Sequence, residues 1–206
     1  MNKIITISRE FGSGGREIGK RLADQLGVGY YDREIITEIA KETGFSEQYV
    51  SHILEKGTYS YPFQFGKSFA TYSSLQNNQT EILVAQQKII KEIAQKESCV
   101  IVGRGASVIL KEQNPMNIFV YADLASKINR CRQKADENEK LSDKEIEQQI
   151  VQIDKNRKKF HNILSNLEWG DKRNYHLCIN TSGVEIKTMI LPLAEYIENW
   201  FRRREK

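Results

Sequence analysis

Cysteine is scarce in this 206-residue chain, and Cys99, Cys131 and Cys178 form no CxxC or Cys/His cluster. An odd, scattered set excludes a disulfide framework and a zinc finger, and suits a reducing compartment. Three prolines and 13 glycines are too few for a collagenous or low-complexity chain. No apolar run approaches the roughly 18 residues of a membrane span. The opening MNKIITISRE holds one short apolar stretch before charge returns, so no signal peptide is expected. A soluble, cytoplasmic protein is expected. His52, His161 and His176 are scattered, which gives no support to a metal site or a histidine-based triad. A strong excess of one charge is also lacking: 31 basic residues face 27 acidic ones, for a net +4. That mild excess favours an anionic small ligand over nucleic acid, because basic residues alternate with Asp136, Glu137, Glu139, Asp143 and Glu145.

What is present is an alternation of strands and helices. Lys3 to Ser8 is a β-branched run that reads as a buried strand. A helical pattern follows with Ile18, Leu22 and Leu26 on one face, closed by Gly27 at the position of a left-handed cap. Val28 to Tyr31 reads as a second strand, before a helix carrying Ile35, Ile36 and Ile39. Residues 45–80 are aromatic-rich and irregular after a short helix at 46–54, which suggests a functional insertion. In it Tyr59, Tyr61, Phe63 and Phe65 either stack on a base or fill a small lobe. A long helix then runs through Ile82, Leu83, Ile89, Ile90 and Ile93.

Strands at 99–102, 117–122 and 176–180 complete the pattern, with a helix at 123–137 between the second and third of them. Ser142 and Glu145 make a capping box for a helix with Ile146, Ile150, Ile153, Phe160 and Leu164 on one stripe. Ser182 and Glu185 have the same spacing and predict a second box opening the terminal helix. Such alternation implies right-handed crossovers, and the fold class is α/β, a five-stranded parallel sheet with helices on both faces.

The chemistry concentrates in the first loop. Ligands of open parallel sheets bind beyond the carboxyl ends of the strands. Gly12, Ser13, Gly14 and Gly15 lie there between a strand and a helix, followed at once by Arg16. Glycine-rich turns bring backbone amides close to an anion, the helix N-terminus adds positive potential, and an arginine adds a forked donor. A plain tight turn needs fewer glycines. A dinucleotide fingerprint fits poorly, since its third glycine falls on Glu17, although Asp32 stands where its acidic residue belongs.

The segments ITISREFGSGGREIG, YYDREII, VIVGRGA, DKNR and WGDKRNYHLCINTS together resemble the cytidylate kinase-like family, within the nucleoside monophosphate kinases. The resemblance spans nearly the whole chain. It implies one P-loop kinase-like domain over residues 1–206, with a monophosphate-binding insertion at about 45–80 and a lid at about 130–160. It also implies ATP with Mg2+ as the phosphoryl donor and CMP or dCMP as first-choice acceptor, with small-molecule nucleotides, not nucleic acid or membrane, as partners. The Walker A pattern GxxxxGK[ST] is altered: its lysine position falls on Gly15 and its hydroxyl position on Arg16. Arg16 is therefore the candidate for the lost charge, Lys20 a poorer one, and Ser13 the nearest hydroxyl.

Carried over singly, Arg104 matches the phosphate-contacting arginine of a GRD motif whose aspartate is here Gly105. Asp154 and Arg157, three apart on one helix face, match a DxxR pair toward the pyrimidine nucleotide. Asp32 falls where monophosphate contacts lie, although an ordinary helix N-cap explains it equally. Arg130 and Arg132 begin the lid and become candidates for stabilising charge during transfer. The rival from another class is a phosphate-binding regulatory module with little turnover. Oligomeric state is not legible in the sequence.

Overall fold

The computed structural model of the chain describes residues 2–56, 69–135 and 141–204. Five strands form one sheet: β1 (Ile4–Arg9), β2 (Gly29–Tyr31), β3 (Cys99–Val102), β4 (Met116–Tyr121) and β5 (Leu177–Asn180). Their order is β2-β3-β1-β4-β5 and every pairing is parallel, as the alternation of elements predicts. β1 is central, with Ile5 opposite Val100 on one side and Met116 on the other.

Successive strand residues point to opposite faces, so each face has its own core. Ile4, Cys99 and Ile101 pack with Ile35, Ile39, Val50, Ile82 and Ile90 from α2 (Glu34–Thr43), α3 (Glu47–Lys56) and α4 (Phe69–Lys96). Ile5, Ile7, Val100 and Val102 pack instead with Ile18 and Leu22 of α1 (Gly15–Leu26) and with Ile190 and Ile197 of α8 (Ile190–Arg202). Gly27 caps α1 in the left-handed conformation expected of it. The Ser142–Glu145 capping box also forms, opening α7 (Asp143–Leu164). α5 (Ala106–Ile109) and α6 (Leu124–Lys134) follow the ends of β3 and β4.

Two local expectations change, and a third is untouched. Phe69 to Tyr72 belong to α4: no proline or glycine follows Gly66 to stop a helix, even though the residues lack an apolar period. Tyr59, Tyr61, Phe63 and Phe65 lie outside the described residues. The box expected at Ser182 does not form. Its hydroxyl accepts from the Asp123 amide at 2.7 Å and donates to Asn180 Oδ1, so it ties the ends of β4 and β5 together. The chain then makes a 3-10 turn, Ile186–Met189, and α8 starts only at Ile190. No described helix is long and apolar enough to cross a membrane.

Candidate active site

The glycine loop crosses from the end of β1 to the start of α1 at the carboxyl edge of the sheet. Gly12 and Gly14 hold positive φ angles of 74° and 83°, a region L side chains avoid. Among the described residues, none accepts from the amides of Gly12, Gly14, Gly15 or Arg16. They are the orphan donors of a helix start and the turn before it. Neither nearby acid plugs them. Glu10 accepts from Lys127 Nζ at 2.9 Å, and Glu17 accepts from Arg21 Nε at 3.0 Å and Lys134 Nζ at 3.3 Å.

Ser13 departs from its expected role. It is fully buried, its Oγ donates to Glu10 O at 2.8 Å and its carbonyl accepts from Thr181 Oγ1 at 2.7 Å. Ser13 holds the turn closed and has no hydroxyl to offer a ligand.

Two cavities open at this edge. The first, of about 680 Å3, lies over the glycine loop and is walled by Arg130, Arg132 and Lys134 on α6. The second, of about 410 Å3, is bounded by Glu55, Arg104, Asn156, Phe160 and Trp169. Arg9, Phe11, Arg16, Arg33 and Arg157 line both. A partition rich in guanidinium groups therefore separates a cavity with open amides from one with aromatic and amide side chains.

The partition is built from several elements. Arg9 ends β1, and period two puts it on the face of Ile5 and Ile7. Its side chain is 13% exposed. Burial and the neighbours Arg157, Arg104 and Arg16 push its guanidinium down to about 9, although Asp32 opposes the shift. Arg157 Nη1 donates to Arg9 O at 3.0 Å, and its guanidinium lies 5.7 Å from the Phe11 ring centre.

Asp32 sits behind this wall and lines neither cavity. It is 3% exposed, pairs with Arg16 Nε at 2.5 Å, and lies 3.7 Å from Arg9 Nη2. Asp32 is not a helix cap either: Arg33 occupies that position, and Asp32 Oδ1 has no hydrogen-bond partner. Its carboxylate is engaged by two arginines.

Asp154 is likewise engaged. Its Oδ1 accepts the Phe11 amide at 2.7 Å, and Lys127 Nζ lies 3.9 Å from Oδ2. Burial lifts the Asp154 carboxyl to about 6, against the pull of the Phe11 amide, Arg157 and Lys127. The two remain an ion pair, with Arg157 Nη1 3.5 Å from Asp154 Oδ1, but Asp154 fastens the loop while Arg157 faces both cavities.

Arg104 lines the second cavity. Its Nη2 reaches Glu55 Oε1 at 3.2 Å, while its buried Nε has no partner. Its φ of +56° is uncommon for arginine and sits between the left-handed Gly103 and Gly105. At Gly105, where the motif has aspartate, φ is +66°, a conformation that L side chains rarely adopt. A Cβ at Gly105 would lie 2.2 Å from Leu164 Cδ1.

Arg130 and Arg132 face the first cavity but already have partners. Arg130 donates to Thr181 O and to Thr181 Oγ1 at 3.2 Å, and Arg132 pairs with Asp143. Arg9 and Lys127 went unassigned at the sequence level. Period two from Ile5 and Ile7 was the signal for Arg9; Lys127 left none.

The residues present fit a polyphosphate, because the amides are open and cations surround them. They fit a protein-held Mg2+ less well. Arg16 stands at the hydroxyl position, Ser13 faces inward, and the Asp32 carboxylate lies between two arginines.

A model of the cytidylate kinase-like family matches residues 4–183. No curated protein matches the sequence. Among solved structures, an uncharacterized protein from Eubacterium ventriosum ATCC 27560 is 28% identical, with a TM-score of 0.69 over 96% of this chain and 99% of that one. Shikimate kinase from Bacteroides thetaiotaomicron is 16% identical, with a TM-score of 0.56 over 94% of this chain and 97% of its own. Shikimate kinase from Acinetobacter baumannii, in complex with shikimate, is 15% identical, with a TM-score of 0.53 over 97% and 94%. The fold is that of P-loop kinases.

Proposed function

We propose that this chain, which belongs to the cytidylate kinase-like family, transfers a phosphoryl group from ATP to a nucleoside monophosphate, with CMP or dCMP first. The observation that carries this reading is the shared wall of arginines between two cavities. A transferred phosphoryl group passes between donor and acceptor, and its catalysis is chiefly positioning and charge neutralisation. Arg9, Arg16 and Arg157 stand where that charge develops.

In this reading the amides of Gly12 and Gly14 to Arg16 cradle the donor phosphates from the first cavity. Arg104 and Arg157 hold the acceptor phosphate in the second, with Asn156, Phe160 and Trp169 around the base. An acceptor phosphate oxygen attacks the terminal phosphorus, and the bond to the bridging oxygen breaks to release ADP. The attacking oxygen is already ionised at neutral pH, so no general base is needed. Mg2+ bound to the nucleotide would neutralise phosphate charge; the protein offers it few ligands of its own. The segments at 45–80 and 130–160 serve as acceptor insertion and lid, since α3 brings Glu55 and α7 brings Arg157 to the same cavity.

One observation favours the second reading, a nucleotide-binding module with little turnover: a guanidinium occupies the Walker hydroxyl position at Arg16. An ADP-release assay over all nucleoside monophosphates, with shikimate included, separates the two. Turnover with CMP or dCMP is expected. Micromolar ATP binding without ADP release on any acceptor favours the module.

A further inference from the structure

The Walker pattern GxxxxGK[ST], set on Gly14 as its second glycine, places its first glycine on Arg9 and its lysine on Gly15. These two positions touch. An ideal Cβ at Gly15 would lie 2.5 Å from Arg9 Cβ and 3.0 Å from Arg9 Cγ. Real Cβ atoms do not approach so closely, so one of the two positions must be glycine. The Walker loop puts glycine at the first and the cation at the second. Here the order is reversed.

From these contacts we infer that Arg9 replaces the Walker lysine: the cation and the glycine have exchanged positions, and its guanidinium enters from the strand instead of the helix to bind the donor's β- and γ-phosphates. This rests on the first cavity being a polyphosphate site.

The path of the side chain supports the exchange. Its stem passes over Gly15, and its guanidinium lies over Gly103 at the end of β3. A Cβ at Gly103 would fall 1.7 Å from Arg9 Nη1. A glycine at the start of α1 and another just after β3 thus leave a channel for one side chain. The channel leads to the partition between the cavities, where a Walker lysine has its task. The contact of Arg9 Nη2 with Asp32 Oδ1, at 3.7 Å, is too long to satisfy the guanidinium, and Asp32 Oδ1 itself lacks a hydrogen bond. The Arg9 charge is thus held in place with capacity left for an anion. Arg16, the alternative, is 53% exposed at its side chain and already committed to Asp32 at 2.5 Å.

The exchange predicts a reciprocal rescue. Arg9→Gln should lose at least tenfold in calorimetric affinity for tripolyphosphate and for ATP, while AMP affinity stays within twofold. Gly15→Lys should lose as much, because its stem meets Arg9. The double variant R9G/G15K restores the Walker order and should recover most of the affinity for both probes. Because Arg9 is buried, thermal unfolding accompanies each titration. Should R9Q not fold, Arg9→Lys, which keeps a shorter cation, should show an intermediate loss.

Unchanged tripolyphosphate affinity in R9Q or R9K, or a double variant no better than its weaker parent, overturns the exchange. Arg9-dependent tripolyphosphate binding without phosphoryl transfer overturns the kinase reading and leaves the exchange standing. Normal turnover in R9Q does the reverse. A wild-type chain that binds neither tripolyphosphate nor ATP overturns both.

Discussion

Asp154 Oδ1 accepts the backbone N–H of Phe11 at 2.7 Å, which fastens the middle of α7 to the glycine loop 143 residues away. The bond joins the element that supplies Arg157 to the loop that supplies the open amides. The loop and the helix that carries Arg157 are therefore tied together without any ligand.

That bond titrates. Burial raises the Asp154 carboxyl from 3.8 to about 6, so the folded chain holds this proton more tightly than the unfolded one. The group's contribution to stability is complete below pH 3.8 and is lost as pH rises through about 6, a change of about 3 kcal/mol. Asp154→Asn keeps an acceptor for the Phe11 amide and removes the titration. Urea unfolding should show the variant gaining about 2 kcal/mol on wild type between pH 4 and 7. A difference that stays constant over that range contradicts the assignment.

Asp32 anchors two arginines from a buried position. Asp32→Asn should cost about 2–3 kcal/mol, below the full loss of a buried pair because Arg16 is half exposed. It should also weaken ATP binding, since both guanidinium groups lose their orientation. Denaturant midpoints and calorimetry check the two effects, and an ATP affinity that survives the change would place Asp32 outside the site.

Gly105 stands where the motif has a carboxylate. Gly105→Asp, which restores the aspartate of the GRD motif, should destabilise the fold by about 1–3 kcal/mol, because φ is +66° and the Leu164 side chain must turn away from the new Cβ. A tolerated substitution with improved CMP turnover would show that α7 yields there.

Arg104 lines the second cavity and not the first, so it distinguishes the two proposed subsites. Arg104→Lys loses the forked donor while keeping the charge. The KM for the acceptor should rise about tenfold with the KM for ATP unchanged. A rise in the ATP value instead would assign Arg104 to the other cavity.

Much of the fold was legible because its signals are local. Period two wrote the strands, Gly27 marked a cap, and Ser142 with Glu145 opened a helix. Ser182 with Glu185 had the same spacing but served a different end: Asn180 and the Asp123 amide compete for the hydroxyl, and neither neighbour is visible from the spacing. The site was legible by residue type more than by role. Arg104 and Arg157 do reach a common cavity. Asp32 and Asp154 proved to be fasteners because their partners, Arg9, Arg16 and the Phe11 amide, come from distant parts of the chain. Arg9 was hidden for the opposite reason. Motif spacing looks for its cation at the start of the helix, and here that cation comes from the strand before it.

The most direct measurement uses one molecule that spans both cavities, adenosine and cytidine joined 5′ to 5′ through five phosphates. If the arginine wall separates donor from acceptor, this compound should bind one per chain, at least a hundredfold tighter than ATP, and compete with both ATP and CMP. An affinity no better than that of ATP, or competition with only one of them, would contradict the two-cavity account.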